Sequence, residues 1–226
     1  MEKCAIITGS SSGLGLEITK SLLNLGYKVF GGSRSGTDLE HSNFYDVELD
    51  ITSSESVEEF FETIREFTDK VHLCVNNAGI CEMSSISEMT SDVFEQHLAI
   101  NTTGPFLLFQ GLESFVLENE THIISILSTA AHYGYPNVAA YNASKFGQLG
   151  LIESLKKEWK DYKIRFTNLF PGAIDTPLWD KMGTKFSRSK MLKPEEFMTV
   201  FNFIVTAPPT IQFPELTFLH KDGYLE

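Results

Sequence analysis

The stretch that decides the fold is Lys3-Cys4-Ala5-Ile6-Ile7-Thr8-Gly9-Ser10-Ser11-Ser12-Gly13-Leu14-Gly15. Its first six residues read as a buried strand, and Leu14–Leu25 has the periodicity of a helix. The glycines sit between the two. A phosphate needs a backbone it can approach closely and N–H groups with no other partner. Glycine allows the approach, and a helix N-terminus supplies donors and partial positive charge. A glycine-rich turn alone is common. A strand before it and a helix after it, in the first β-α unit, point to dinucleotide binding. Gly9, Ser11, Ser12, Gly13, Leu14 and Gly15 are therefore candidate cofactor contacts. No Lys-Ser/Thr pair follows the glycines, so this is not a phosphate loop of the ATPase kind.

Downstream, short apolar runs alternate with longer amphipathic ones. Lys28–Ser33, Phe44–Leu49, Val71–Val75, Thr121–Leu127 and Lys163–Leu169 read as strands, and Leu216–His220 as a seventh. Ser54–Asp69, Ser91–Leu117, Ala139–Lys160 and Pro194–Thr206 read as helices, the second bent near Gly104-Pro105. Apolar strands alternating with helices imply a parallel sheet covered on both faces. Right-handed crossovers then make a doubly wound, Rossmann-type α/β domain of about seven strands. No linker or repeat divides the chain, so residues 1–226 read as one catalytic domain.

Composition narrows the class. The hydrophobic fraction of 42% suffices for a packed core. No apolar run approaches the ~20 residues of a membrane span. Met1–Gly9 does not resemble a signal peptide, so a cytoplasmic location is expected. Cys4, Cys74 and Cys81 read as free thiols in a reducing compartment, and no histidine pairs with a cysteine at zinc spacing. A net charge of -12 disfavours nucleic acid or an anionic membrane as partner. Asn-x-Ser/Thr matches at Asn101, Asn119 and Asn142 read as chance.

The end of the second strand bears on the cofactor. An NAD site wants a carboxylate there for the ribose 2′-hydroxyl. This chain offers Ser33 and then Arg34, whose guanidinium can grip a 2′-phosphate. NADP is therefore expected rather than NAD. Carbonyl reduction also needs a proton donor at oxygen. Tyr141 and Lys145 lie four residues apart at a helix start, on one face. The ammonium, together with the charge of an oxidised nicotinamide, is expected to lower the phenol's pKa.

The spacing Thr-Gly-x-x-x-Gly-x-Gly, joined to Tyr141-x-x-x-Lys145, resembles the short-chain dehydrogenase/reductase family from Lys3 to about Thr206. The resemblance implies that Ser128, 13 positions before Tyr141, holds the substrate oxygen. It implies that Asn101 holds a water connecting to Lys145 in a proton relay. Asp50-Ile51 matches a family position that contacts adenine, though Asp50 also reads as a strand-end cap. Asn76-Asn77-Ala78-Gly79 matches the segment that lines the cofactor. Pro171-Gly172, followed by Ile174 and Thr176, matches the segment that touches the nicotinamide. The implied activity is hydride transfer between nicotinamide and a carbonyl or secondary alcohol, with Tyr141 as general acid or base. Rival readings are a non-catalytic NADP-binding sensor or scaffold, and a sugar-nucleotide epimerase or dehydratase, for which the extra substrate domain is missing. No metal is expected.

The expected substrate wall is Ala130–Pro136, Ile80–Met83 and Leu178–Met191. His132 reads as a surface loop residue, and Ser125 as structural. Three segments depart from the family: 34–50 is short of a full helix, 176–194 is short for a lid, and 218–224 is truncated. The short lid suggests an open pocket. The apolar faces of the helices at 91–117 and 139–160 suggest a homodimer or homotetramer.

Overall fold

The computed structural model describes residues 3–117, 120–180 and 186–223. The strands are β1 (Lys3–Thr8), β2 (Tyr27–Ser33), β3 (Phe44–Glu48), β4 (Leu73–Asn76), β5 (Thr121–Ile126), β6 (Ile164–Pro171) and β7 (Glu215–Phe218). They form one seven-stranded sheet in the order β3-β2-β1-β4-β5-β6-β7. Every pairing is parallel. The helices are α1 (Gly13–Asn24), α2 (Ser54–Arg65), α3 (Ser91–Leu98), α4 (Gly104–Val116), α5 (Ala139–Glu158) and α6 (Pro194–Thr206). This is the Rossmann-type α/β architecture expected from the sequence. The strand order reverses between β1 and β4, and a crevice opens at such a switch point beyond the carboxyl ends of the strands.

Alternation along the strands builds two cores. Cys4 and Ile6 of β1 pack with Phe60 and Phe61 of α2, Leu108 and Phe109 of α4, and Ile152 of α5. Ala5 and Ile7 face the other way, toward Ile18 and Leu22 of α1 and Phe197 and Phe201 of α6. Most of these side chains are fully buried, and each large one contributes about 1.5–3 kcal/mol. A one-residue slip of β1 would exchange the two sets.

Several elements differ from their expected bounds by one to four residues, and one differs in kind. The helix expected over 91–117 is broken by a π-helical turn, Ala99–Thr103, between α3 and α4. Gly104 N–H donates to Ala99 O, five residues back. Pro105 has no N–H to offer the Asn101 carbonyl, so the ordinary i→i−4 bond is missing there. The bend expected at Gly104-Pro105 thus widens the turn before it, around Asn101. Between β2 and β3 the described chain has no helix, as the short segment suggested.

Candidate functional site

The crevice is a cleft of about 1320 Å³ along the carboxyl ends of β1 to β6. Single-ligand pockets usually reach ~1,000 Å³. This one has room for a dinucleotide and a second molecule.

The glycine turn forms one end. Gly9 and Gly13 have φ of 72° and 53°, in the left-handed region that only glycine adopts without strain. A Cβ on Gly15 would stand 1.9 Å from the Gly9 carbonyl oxygen, so only glycine lets α1 start this close to the turn. The Ser12 side chain makes no cap bond at the head of α1, and its first turn holds no acidic residue. By contrast, Ser53 caps α2 and Thr90 caps α3. The α1 terminus therefore keeps its donors and its positive end for a ligand phosphate.

Thr8 holds the turn from below. Its hydroxyl accepts from Asn77 N–H at 3.1 Å and Ala78 N–H at 3.0 Å, and Asn77 Nδ2 donates to the Thr8 carbonyl at 2.9 Å. The Asn77 amide is thus committed to the turn, and the residue meets the cleft through its remaining atoms. Arg34 lines the far end with Ser33, Ser35, Asp50, Ile51 and Thr52. Hydrogen bonds from the Thr52 hydroxyl (2.7 Å) and N–H (2.9 Å) hold the Asp50 carboxyl below its ordinary pKa, with a smaller pull from Arg34. Asp50 is therefore a strand-end cap that also lines the cleft.

The catalytic candidates meet at the middle. The Tyr141 hydroxyl is hydrogen-bonded to Ser128. Ser128 Oγ also accepts from Ala130 N–H at 3.1 Å, which turns its own proton outward. Lys145 Nζ donates to the Ile126 carbonyl at 3.1 Å and to Gln148 Oε1 at 3.0 Å, and lies 5.8 Å from the Tyr141 ring centre. Two of its three N–H groups are used and one remains. Burial pushes the Lys145 ammonium down to about 8, against a smaller upward pull from Cys81. Burial also holds the Tyr141 phenol above its usual value, helped by Cys81 and opposed by the Ser128 hydrogen bond. Desolvation of the phenolate governs this group in the chain by itself, and the expected lowering by Lys145 together with an oxidised nicotinamide belongs to the loaded cleft.

Gly79, Pro171, Gly172, Ile174 and Thr176 complete the wall. Of the residues singled out from sequence, Asn76 and Asn101 do not line it, nor do Ala131, His132, Gly134 and Met191 of the expected substrate wall. Asn101 is fully buried, accepts from Ile80 N–H at 2.9 Å, and donates to the Ile80 carbonyl and to Ser144 Oγ, each at 2.9 Å. Both of its amide N–H groups are used and its amide oxygen holds the Ile80 N–H, so it clamps the loop after β4.

Four supporting residues escaped the sequence reading: Thr8, His97, Asn142 and Gln148. His97 lies four residues before Asn101 on the same helical face. Its Nδ1 pairs with the Val93 carbonyl at 2.7 Å and its Nε2 with Glu82 N–H at 3.0 Å, clamping the same loop. Asn142 follows Tyr141. It accepts from Tyr135 N–H at 3.0 Å and donates to the carbonyls of Ala130 at 2.9 Å and Tyr133 at 2.6 Å, locking the loop from Ser128 to Tyr141. Helical spacing from Asn101 and Lys145 is the signal that could have found His97 and Gln148. Asn101 and Asn142 are buried, which no glycan acceptor can be, while Asn119 lies outside the described residues.

His132 is exposed, and Ser125 is buried beside Asn76, away from the cleft. The segment after β6 returns on itself through an Ile174–Leu192 bridge, and Arg188 pairs with Asp175 and Asp180. Trp179 and Phe186 of this segment line the cleft. Residues 181–185 of the expected lid lie outside the described residues. No cluster of metal ligands and no helix long and apolar enough to cross a membrane occurs among the described residues.

The short chain dehydrogenase family profile matches residues 3–186. The chain belongs to this family. A 3-amino-tetrahydro-pyrrolizinone reductase from Xenorhabdus hominickii is 33% identical over 184 residues, covering 79% of this chain and 64% of that one. A 3-ketoacyl-(acyl-carrier-protein) reductase from Brucella melitensis, solved with NADH, is 28% identical with a TM-score of 0.85, covering 95% of this chain and 96% of that one. An alcohol dehydrogenase from the archaeon Thermococcus sibiricus, solved with 5-hydroxy-NADP, covers both chains fully with a TM-score of 0.90 at 24% identity, a likeness of fold. This short-chain dehydrogenase is thus an oxidoreductase by family, among structural neighbours that hold nicotinamide cofactors of both kinds.

Proposed function

We propose that this chain is an NADP(H)-dependent oxidoreductase acting on a carbonyl or secondary alcohol, with Tyr141 as general acid/base. The observation that carries the reading is the placement of the Tyr141 and Ser128 hydroxyls beside the Lys145 ammonium in a cleft that the glycine turn also lines. The donor set fits the cofactor: phosphates at the α1 N-terminus, a 2′-phosphate at Arg34 and Ser33, adenine near Asp50 and Ile51, nicotinamide near Ile174 and Thr176. Bound there, the nicotinamide supplies the hydride in reduction or accepts it in oxidation.

The chain's own residues handle the proton. Ser128 donates to the substrate oxygen and orients it. Burial keeps Tyr141 protonated, so it can give its proton to that oxygen in reduction; in oxidation it must first lose that proton, and its phenolate then accepts the one from the alcohol. Lys145 uses its remaining N–H for the ribose and supplies positive charge near the phenol. Gln148 and the Ile126 carbonyl hold it in place, and Asn101 fixes the loop that roofs it. Steady-state NADPH oxidation with aldehydes, ketones, 3-oxoacyl thioesters and steroids tests the reading. Tyr141→Phe is expected to lower kcat by ~10²–10⁴ with NADPH binding retained. Undiminished turnover in that variant overturns it, and cofactor binding without turnover of any carbonyl returns the sensor reading.

The reading extends to assembly and location. Phe106 of α4 and Phe146 of α5 are each nearly half exposed, on helices expected to pair between subunits of a dimer or tetramer. Cys74 and Cys81, in no disulfide, suit a reducing cytoplasm.

A further inference from the structure

The substrate end of the cleft is lined by Met83, Gln96, Tyr133, Trp179, Phe186 and the carboxylate of Glu82. Among the described residues, Glu82 is the one charged side chain there. The cleft's two cations, Arg34 and Lys145, lie at the cofactor end and beside Tyr141, and Arg188 is paired with Asp175 and Asp180. Glu82 has no ion-pair or hydrogen-bond partner for its carboxylate among the described residues, whereas its backbone is fixed. Its N–H donates to the fully buried His97, and two residues earlier Ile80 is held through both N–H and C=O by Asn101. Glu82 itself is exposed, and an anionic side chain sharing the cleft with the rings of Trp179 and Phe186, which meet edge to face at 6.0 Å, makes a surface suited to a cation. The net charge of -12 reinforces that sign.

We infer that Glu82 selects substrates carrying a protonated amine near the reacting carbonyl or alcohol, and disfavours carboxylates and acidic carriers. The inference rests on the oxidoreductase reading for its substrate chemistry, but its charge selection is measurable without turnover.

The test uses three ketones of one skeleton, bearing an ammonium, a hydrogen or a carboxylate at the same position. Their kcat/KM values with NADPH are compared, and their dissociation constants are measured by calorimetry on the NADP⁺-loaded protein. The ammonium ketone is expected to exceed the carboxylate ketone by about tenfold or more in both. Glu82→Gln is expected to erase most of that ratio, and Glu82→Lys to reverse it. Charge-selective binding without turnover of any ketone supports this inference and sinks the oxidoreductase reading. Turnover of the neutral ketone with no preference for the ammonium form sinks the inference and leaves that reading standing. A carboxylate preference in the wild type, or no binding of any of the three, overturns the inference too. Lys181 and Lys185 lie outside the described residues, and the carboxylate arm registers any contribution from them.

Discussion

At the scale of single residues, chemistry is set by what surrounds a functional group. Ser33 stands where a ribose 2′-hydroxyl would want a carboxylate, and the cation Arg34 follows it, so Arg34→Asp is expected to reduce the NADPH-over-NADH ratio of kcat/KM by at least tenfold. A ratio unchanged by the substitution removes the argument for NADP. Lys145 has a folded-state pKa of about 8, below its ordinary value near 10.5. Function needs the ammonium, so kcat/KM for reduction should fall as pH rises through about 8. Stability moves the other way. Between about 8 and 10.5 the unfolded chain binds more protons at this position, so the group's penalty is relieved as pH rises. Lys145→Arg, whose side chain stays charged, should abolish the activity limb near 8 even if overall activity drops. A limb that persists unchanged in that variant assigns it to another group.

At the scale of elements, the sheet holds a second buried titratable group. His122 of β5 pairs its Nε2 with Thr167 Oγ1 of β6 at 2.8 Å, and burial pushes it down to about 3, helped by Arg165. A folded pKa below the unfolded value of about 6.5 makes stability fall as pH drops from about 6.5 toward 3. The slope from this one group approaches ~1.4 kcal/mol per pH unit. Urea denaturation between pH 7 and 4 should show it, and His122→Gln should flatten the slope. An equal slope in both proteins would place the acid sensitivity elsewhere. Element types were readable because apolar periodicity is a local signal. The π turn at Ala99–Thr103 was not: Pro105 marked a bend, but only the folded backbone shows that the bend is taken up as a widened turn before it.

At the scale of the whole molecule, two helices leave large rings in solvent that a single sheet face does not use. Light scattering at micromolar concentration is expected to report a dimer or tetramer. The pair Phe106→Asp and Phe146→Asp should yield a monomer with little loss of fold stability, because both positions are exposed. A wild-type monomer ends the proposal of assembly through these helices.

Sequence alone settled which elements form and which residue types could do chemistry. Strand and helix periods, glycines with no Cβ at a phosphate turn, and a Tyr and a Lys four residues apart are properties of the chain itself. The tertiary structure decided how those residues are held and what their environment does to them. Thr8 reaching Asn77, Asn142 pinning the loop before Tyr141, and His97 fixing Glu82 are hydrogen bonds between segments that only packing brings together. The rise of the Tyr141 pKa came from the same source. Desolvation is a property of the surrounding volume, and no spacing along the chain measures it.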